Sequence, residues 1–115
     1  MNFTTAIEQQ KTEGKPRSPH WPIVRKLWLH GHPVCAACGS ADRVEVHHKI
    51  PFHLRPELEL EPENLISLCE GAHQCHLHFG HFFDWKRYNP DVERIAAAFH
   101  DGLLRAIDRI GQSKS

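Results

Sequence analysis

Apolar positions along the chain recur in short runs at its centre and with helical spacing on either side. Residues 1–17 have no apolar period and include Gly14 and Pro16, so they read as a flexible arm. Ser18 and Pro19 then offer an N-cap and a first helical position for a helix to about Leu29. Trp21, Val24 and Trp28 recur in it at spacings of three and four, a stripe that fits core packing better than base stacking. Gly31 and Pro33 end it. Residues 44–51 carry a short β-branched strand with His47 and His48 at its end, and residues 64–69 form a second strand that begins with Asn64. Residues 72–81 read as a short histidine-rich helix closed by Gly80. Between the strands, Glu57, Glu59, Glu61 and Glu63 predict an acidic, solvated loop. Asp91 caps a last helix to about Ile110, in which Val92, Ile95, Phe99, Leu103, Ala106 and Ile107 form one stripe that predicts core packing. Residues 111–115 are a tail, which leaves 18–110 as a single domain.

Composition sharpens this picture at one place. The 115 residues hold 14 Lys+Arg against 14 Asp+Glu, so bulk positive charge does not drive nucleic-acid binding. The unusual counts are 11 His and 4 Cys. All four cysteines and seven histidines (47, 48, 53, 73, 76, 78 and 81) fall between Cys35 and His81, the clustering a metal site produces. No stretch approaches the ~18 apolar residues that span a membrane. The N-terminus lacks the basic start and apolar run of a signal peptide, so a cytoplasmic protein with reduced thiols is expected.

Reduced cysteines in pairs read as metal ligands. Cys35-Ala-Ala-Cys38-Gly39 has the spacing of a zinc knuckle, in which turn amides hydrogen-bond to the sulfurs. Cys69 and Cys75 supply the second pair, separated by five residues where two are usual. Four thiolates close a tetrahedral site, so this zinc is structural. Strand, strand and helix around a second metal then make a ββα-metal arrangement, an α+β fold flanked by helices.

His-His-x-x-Pro at 47–51, Asn-Leu-x-x-Leu-Cys at 64–69 and Cys-His at 75–76, following the C-x-x-C at 35–38, resemble the zinc-containing HNH endonucleases. The resemblance covers about residues 35–81. It implies that His47 holds a catalytic divalent cation (Mg²⁺, Mn²⁺, Ni²⁺ or Zn²⁺), and that His48 is the general base. It implies further that Asn64 fixes the loop that orients His48, that His76 is the second metal ligand, and that a third follows about one turn on. His81 is the choice for that third ligand. The usual spacing falls on Gly80, and five residues on a regular helix put side chains about 140° apart, so His78 and His73 stay open as alternatives.

The chemistry suits these residue types. A cation bound by two or three imidazoles keeps positions open for a phosphate oxygen, and a neutral histidine opposite it activates water. Neighbouring residues on a strand point to opposite faces, so His47 and His48 address the two separately. Lys49, Arg55, Lys86 and Arg87 lie near these motifs as phosphate contacts to DNA. The sequence thus predicts a metal-dependent DNA endonuclease. Two other readings remain: a non-catalytic zinc module that binds DNA or protein, and a nuclease active only within a larger phage packaging or defence complex. Oligomeric state, substrate sequence, and nicking against double-strand cleavage are open at this level.

Overall fold

The computed structural model describes residues 16–113, so most of the expected arm and the last two residues of the tail lie outside the described residues. Helix α1 is Trp21–Gly31, strand β1 Val44–His48, strand β2 Leu65–Cys69 and helix α2 Val92–Ser113. Two 3₁₀ turns, Pro56–Leu58 and Pro62–Asn64, precede β2, and a single π-helical turn, His76–Gly80, follows it. The strands pair antiparallel, with Val44 opposite Cys69 and His48 opposite Leu65. This register sets the two histidines at the sheet end where Asn64 enters β2.

The core is small and sits on the cysteines. Cys35, Ala37, Ile66, Leu68, Cys69, Cys75, Val92 and Ala96 form one buried cluster, with Phe79 packed against it. Every residue of β2 is buried, because β1, the knuckle turn and the π turn all close on it. The knuckle is joined to the sheet by a hydrogen bond from the Ala36 amide to the Ser67 carbonyl at 2.8 Å.

Both flanking helices depart from expectation. Helix α1 begins at Trp21 instead of at Ser18–Pro19. The Ser18 hydroxyl accepts from the His20 amide at 3.1 Å, a local turn that delays the helix. Pro22 falls in its first turn, where a missing N–H costs nothing. No residue of α1 is buried. Trp28 is half-buried, with its indole N–H donating to Ser67 Oγ at 3.0 Å, and Trp21 packs against His48. At α2, the buried Asn89 supplies the side-chain bond expected of Asp91, its Oδ1 accepting from the Asp91 amide at 2.9 Å. The helix also runs on through residues expected to be tail, to Ser113. Of its predicted stripe only Val92 is fully buried, while Phe99 and Ile107 are exposed. The helix outreaches the small core, in a molecule of 61 × 28 × 21 Å.

The acidic loop is the third departure. Glu59 is 4% exposed. Its carboxylate accepts from Arg17 Nε at 2.8 Å and from the Ser18 amide at 3.0 Å, so Arg17, expected in the flexible arm, is tied down.

Candidate active site

One sulfur of each of Cys35, Cys38, Cys69 and Cys75 lies within 4.8 Å of all the others. Cys38 Sγ and Cys69 Sγ are 3.6 Å apart, near the edge of about 3.8 Å that zinc–sulfur bonds of about 2.3 Å would give a tetrahedron. The knuckle amides of Ala37 and Cys38 donate to Cys35 Sγ at 3.4 and 3.5 Å. The five-residue gap is absorbed locally. Gly71 passes so close to Asp42 that a Cβ there would lie 2.1 Å from the carboxylate, and Gln74, at φ 51°, turns the chain back to Cys75. Burial raises the Cys69 thiol, but the amides of Cys75 and His73, with the thiols of Cys38 and Cys75, bring it down to about 7. Burial and the neighbouring Cys35 push the Cys75 thiol well above its ordinary value. Four sulfurs this close ionise together only around a cation, and a closed all-sulfur set suits structural zinc.

The second cluster is His47, His76 and His81, one ring nitrogen of each lying within 4.8 Å of the others. His47 comes from β1, and the other two bracket the π turn. Five residues would point His76 and His81 apart on an α-helix, but the wider i to i+5 turn brings both rings to the same side. His78 instead packs on Phe83, ring centroids 4.4 Å apart. It shares with His73 a separate hollow beside Phe99. His76 Nδ1 meets Glu70 Oε2 at 3.0 Å. His81 Nδ1–H donates to the Arg87 carbonyl at 2.6 Å. Such outer bonds fix each ring and leave Nε2 facing inward.

His47 is 3% exposed. Burial, then the adjacent His76 and His81, lower its pKa to about 3, which keeps the ring neutral. His47 Nδ1 lies 3.0 Å from His76 Nε2, and its Nε2 is a buried nitrogen without a hydrogen-bond partner among the described residues. Three imidazoles crowded together, one with an orphaned nitrogen, fit a divalent cation, and a three-ligand set leaves positions open.

His48 follows His47 on β1. Its Nε2 lies 2.9 Å from the Glu59 carbonyl. A carbonyl only accepts, so Nε2 carries the proton and Nδ1 keeps the lone pair. The Trp21 ring lies 4.6 Å from the imidazole. Burial lowers the His48 pKa below its ordinary value, opposed in part by the Glu59 carbonyl and reinforced by the Arg17 charge. Glu59 therefore acts at both ends: its carboxylate anchors Arg17, and its carbonyl sets the His48 tautomer.

Asn64 is 6% exposed. Its Oδ1 accepts from the Ile50 amide at 2.9 Å, and its Nδ2 donates to the Ile50 and Leu58 carbonyls at 3.1 and 3.3 Å. It thereby ties both ends of the loop that delivers Glu59 to His48. Asn64→Ala is expected to cost about 1–3 kcal/mol, because it leaves buried backbone groups unpaired. Urea unfolding of the zinc-loaded variant measures this, and an unchanged midpoint would remove Asn64 from that role.

The three-histidine cluster and His48 open on one cleft of about 380 Å³, whose rim carries Arg17, Trp85, Lys86 and Arg87. Of the four basic residues expected at nucleic acid, Lys86 and Arg87 are there. Lys49 is instead ion-paired with Glu93 at 2.8 Å. Arg55 is paired with Glu57 at 2.5 Å and does not line the cleft. Each of these two cations thus lies against a carboxylate, Glu93 far along the chain for Lys49 and Glu57 two residues away for Arg55.

A family model described as HNH endonuclease matches residues 35–81. Its ends coincide with the first cysteine of one cluster and the last histidine of the other. Residues 35–81 form an HNH domain. No curated protein and no solved structure matches the chain. HNH domains carry nuclease-type chemistry, and HNH nucleases act on DNA. Among the described residues no helix is long and apolar enough to cross a membrane.

Two features of the site lay beyond what the sequence shows. Arg17 and Glu59 were hidden in segments that look polar and unstructured, and nothing local distinguishes Glu59 from the glutamates around it. Gly80 was expected to close a helix. It lies inside the π turn, and a Cβ there would stand 3.0 Å from His47 Cε1 and 3.2 Å from both ring nitrogens. Gly80→Ala is therefore expected to push the His47 ring aside and to weaken cation binding about tenfold. Calorimetric titration with Mn²⁺ reads this, with zinc content unchanged. Undiminished Mn²⁺ affinity would show that the ring yields freely.

Proposed function

We propose that the HNH domain hydrolyses DNA phosphodiester bonds, with a divalent cation held by His47, His76 and His81 and with His48 as general base. The observation that carries this reading is the tethering of His48 by the Glu59 carbonyl, which leaves a basic Nδ1 in the same cleft as the three-histidine cluster. When bound, the cation would polarise a phosphate oxygen and stabilise the leaving oxygen. His48 Nδ1 takes a proton from water as that water attacks phosphorus. The Glu59 carbonyl supports the imidazolium that forms, since Nε2–H remains bonded to it. Asn64 keeps the carbonyl in place, and Arg17, Lys86 and Arg87 on the rim supply positive charge for the phosphates on either side. The four cysteines hold a structural zinc away from this chemistry.

Nicking of supercoiled plasmid tests the reading. Zinc-loaded protein with Mg²⁺ or Mn²⁺ is expected to convert plasmid to the open circle. Removing the more weakly held cation while zinc stays bound is expected to abolish conversion. Cleavage that persists without that cation would overturn the one-metal mechanism. Absence of nicking under every cation would favour a non-catalytic zinc module.

The far half of α2 supports a second reading, a nuclease that works inside a larger complex. Leu104 and Ile107 are 52% and 57% exposed on that helix, more apolar surface than a lone domain needs to show. Nicking only in the presence of a partner that co-elutes with the protein would favour it.

A further inference from the structure

After His81 the chain makes an unusual exit. Phe82 and Phe83 both take left-handed backbone, at φ 53° and 68°, a conformation bulky residues rarely adopt. The Phe83 amide donates to the Leu77 carbonyl at 2.9 Å and the Asp84 amide to the His81 carbonyl at 3.0 Å. Asp84 then closes a turn, its carbonyl accepting from the Arg87 amide at 2.8 Å and its carboxylate from the Lys86 amide at 3.0 Å. The Arg87 carbonyl straps this turn to the His81 ring. Trp85 stands on the turn, its ring centroid 4.8 Å from that of His81 and 5.1 Å from that of His76. It is nevertheless 56% exposed. Lys86 and Arg87, the cations beside it, are exposed too.

Core packing does not account for a tryptophan more than half in water. The strained exit and the turn instead present its ring at the rim of the cleft, against two histidines of the cluster. A phosphate reacting at that cluster brings its own nucleotide, or the next one, within reach of Trp85. In a duplex those bases are stacked on their neighbours and their faces are covered. Only a base out of the stack can use an indole face.

Resting on the nuclease reading above, we propose that Trp85 is a stacking platform for an unpaired base beside the scissile phosphate, so that single-stranded or locally unpaired DNA is the favoured substrate. Lys86 and Arg87 hold the flanking phosphates, and the ring holds the base.

The test uses the full chain carrying His48→Ala, zinc-loaded and with Mn²⁺, so that DNA binds without being cut. Affinities for a labelled single strand and for its duplex are measured by fluorescence anisotropy. Trp85→Ala is expected to lower the ratio of single-strand to duplex affinity roughly tenfold, and Trp85→Phe to keep most of it. The same single strand with one abasic position next to the cleavage site gives a double-mutant cycle. Its loss of affinity is expected in the parent and absent in Trp85→Ala. Equal weakening on both substrates, or an abasic penalty that survives the substitution, overturns the proposal and assigns Trp85 to packing around the histidines. Both outcomes leave the nuclease reading intact. A parent protein that binds neither substrate, and a wild type that cuts neither, would remove both.

Discussion

Replacing His48 with alanine is expected to slow plasmid nicking roughly 100- to 10,000-fold, the range that one positioned general base contributes, with zinc content and fold retained. The side chain is half-buried and makes one hydrogen bond, to the Glu59 carbonyl. Removing it empties a place beside Trp21 without touching either metal cluster. His48→Gln separates the possible causes, because its amide can still donate to that carbonyl but cannot take the proton from water. Equal losses in the two variants identify base catalysis, and recovery in the glutamine variant would reduce His48 to a tether. A nicking rate unchanged by either substitution would sink the assignment.

The same geometry fixes the direction of the pH dependence. The base works only when neutral, and burial holds its pKa below the ordinary imidazole value of about 6.5. The rate is therefore expected to be level near neutrality and to fall as pH drops through that lowered pKa. Cation binding also needs neutral imidazoles, and titration of Mn²⁺ affinity over the same range separates the two effects. An acid limb that begins above pH ~6.5 would contradict the buried setting of His48.

Loss of the structural ion is expected to unfold the protein altogether. The buried cluster contains three cysteines and only a handful of aliphatic residues, Ile66, Leu68 and Val92 being the largest of these. The four sulfurs join the knuckle, the end of β2 and the start of the π turn at the centre of that cluster. A zinc site of this type contributes roughly 10–16 kcal/mol of apparent binding free energy, as much as the whole stability of about 5–15 kcal/mol of an ordinary domain. Cys35→Ala, or chelation strong enough to strip the ion, should therefore abolish the helical circular dichroism signal in step with zinc release. Cys38→His, which keeps a three-sulfur, one-nitrogen donor set, should retain much of it. Full ellipticity after complete zinc release would show that the core stands without the metal.

Much of the domain was legible because its chemistry is concentrated in local patterns. The alternation of Val44, Glu45 and Val46 and the run Leu65 to Cys69 gave both strands, since strand pairing needs little beyond β-branched or apolar residues in a short segment. The cysteine spacing gave the first cluster. Resemblance singled out His47, His76 and His81, and the structure brings these three together. The errors share a physical origin. Helix α1 starts late because a serine turn competes with its first residues, and the α2 stripe stays largely exposed because periodicity shows that a helix has an apolar face, not that anything covers it.

The sequence alone therefore determined which residue types can act and roughly which segments carry them, because thiolates, imidazoles and short apolar runs have intrinsic preferences that need no partner. Tertiary structure decided the rest. It placed His76 and His81 on one side by widening a single turn, buried Glu59 to set the proton on His48, and paired Lys49 with Glu93 while leaving Lys86 and Arg87 on the cleft. The last two depend on groups separated along the chain coming into contact, and the meeting of His76 and His81 with His47 does too. Such contacts exist only once the chain has closed on itself.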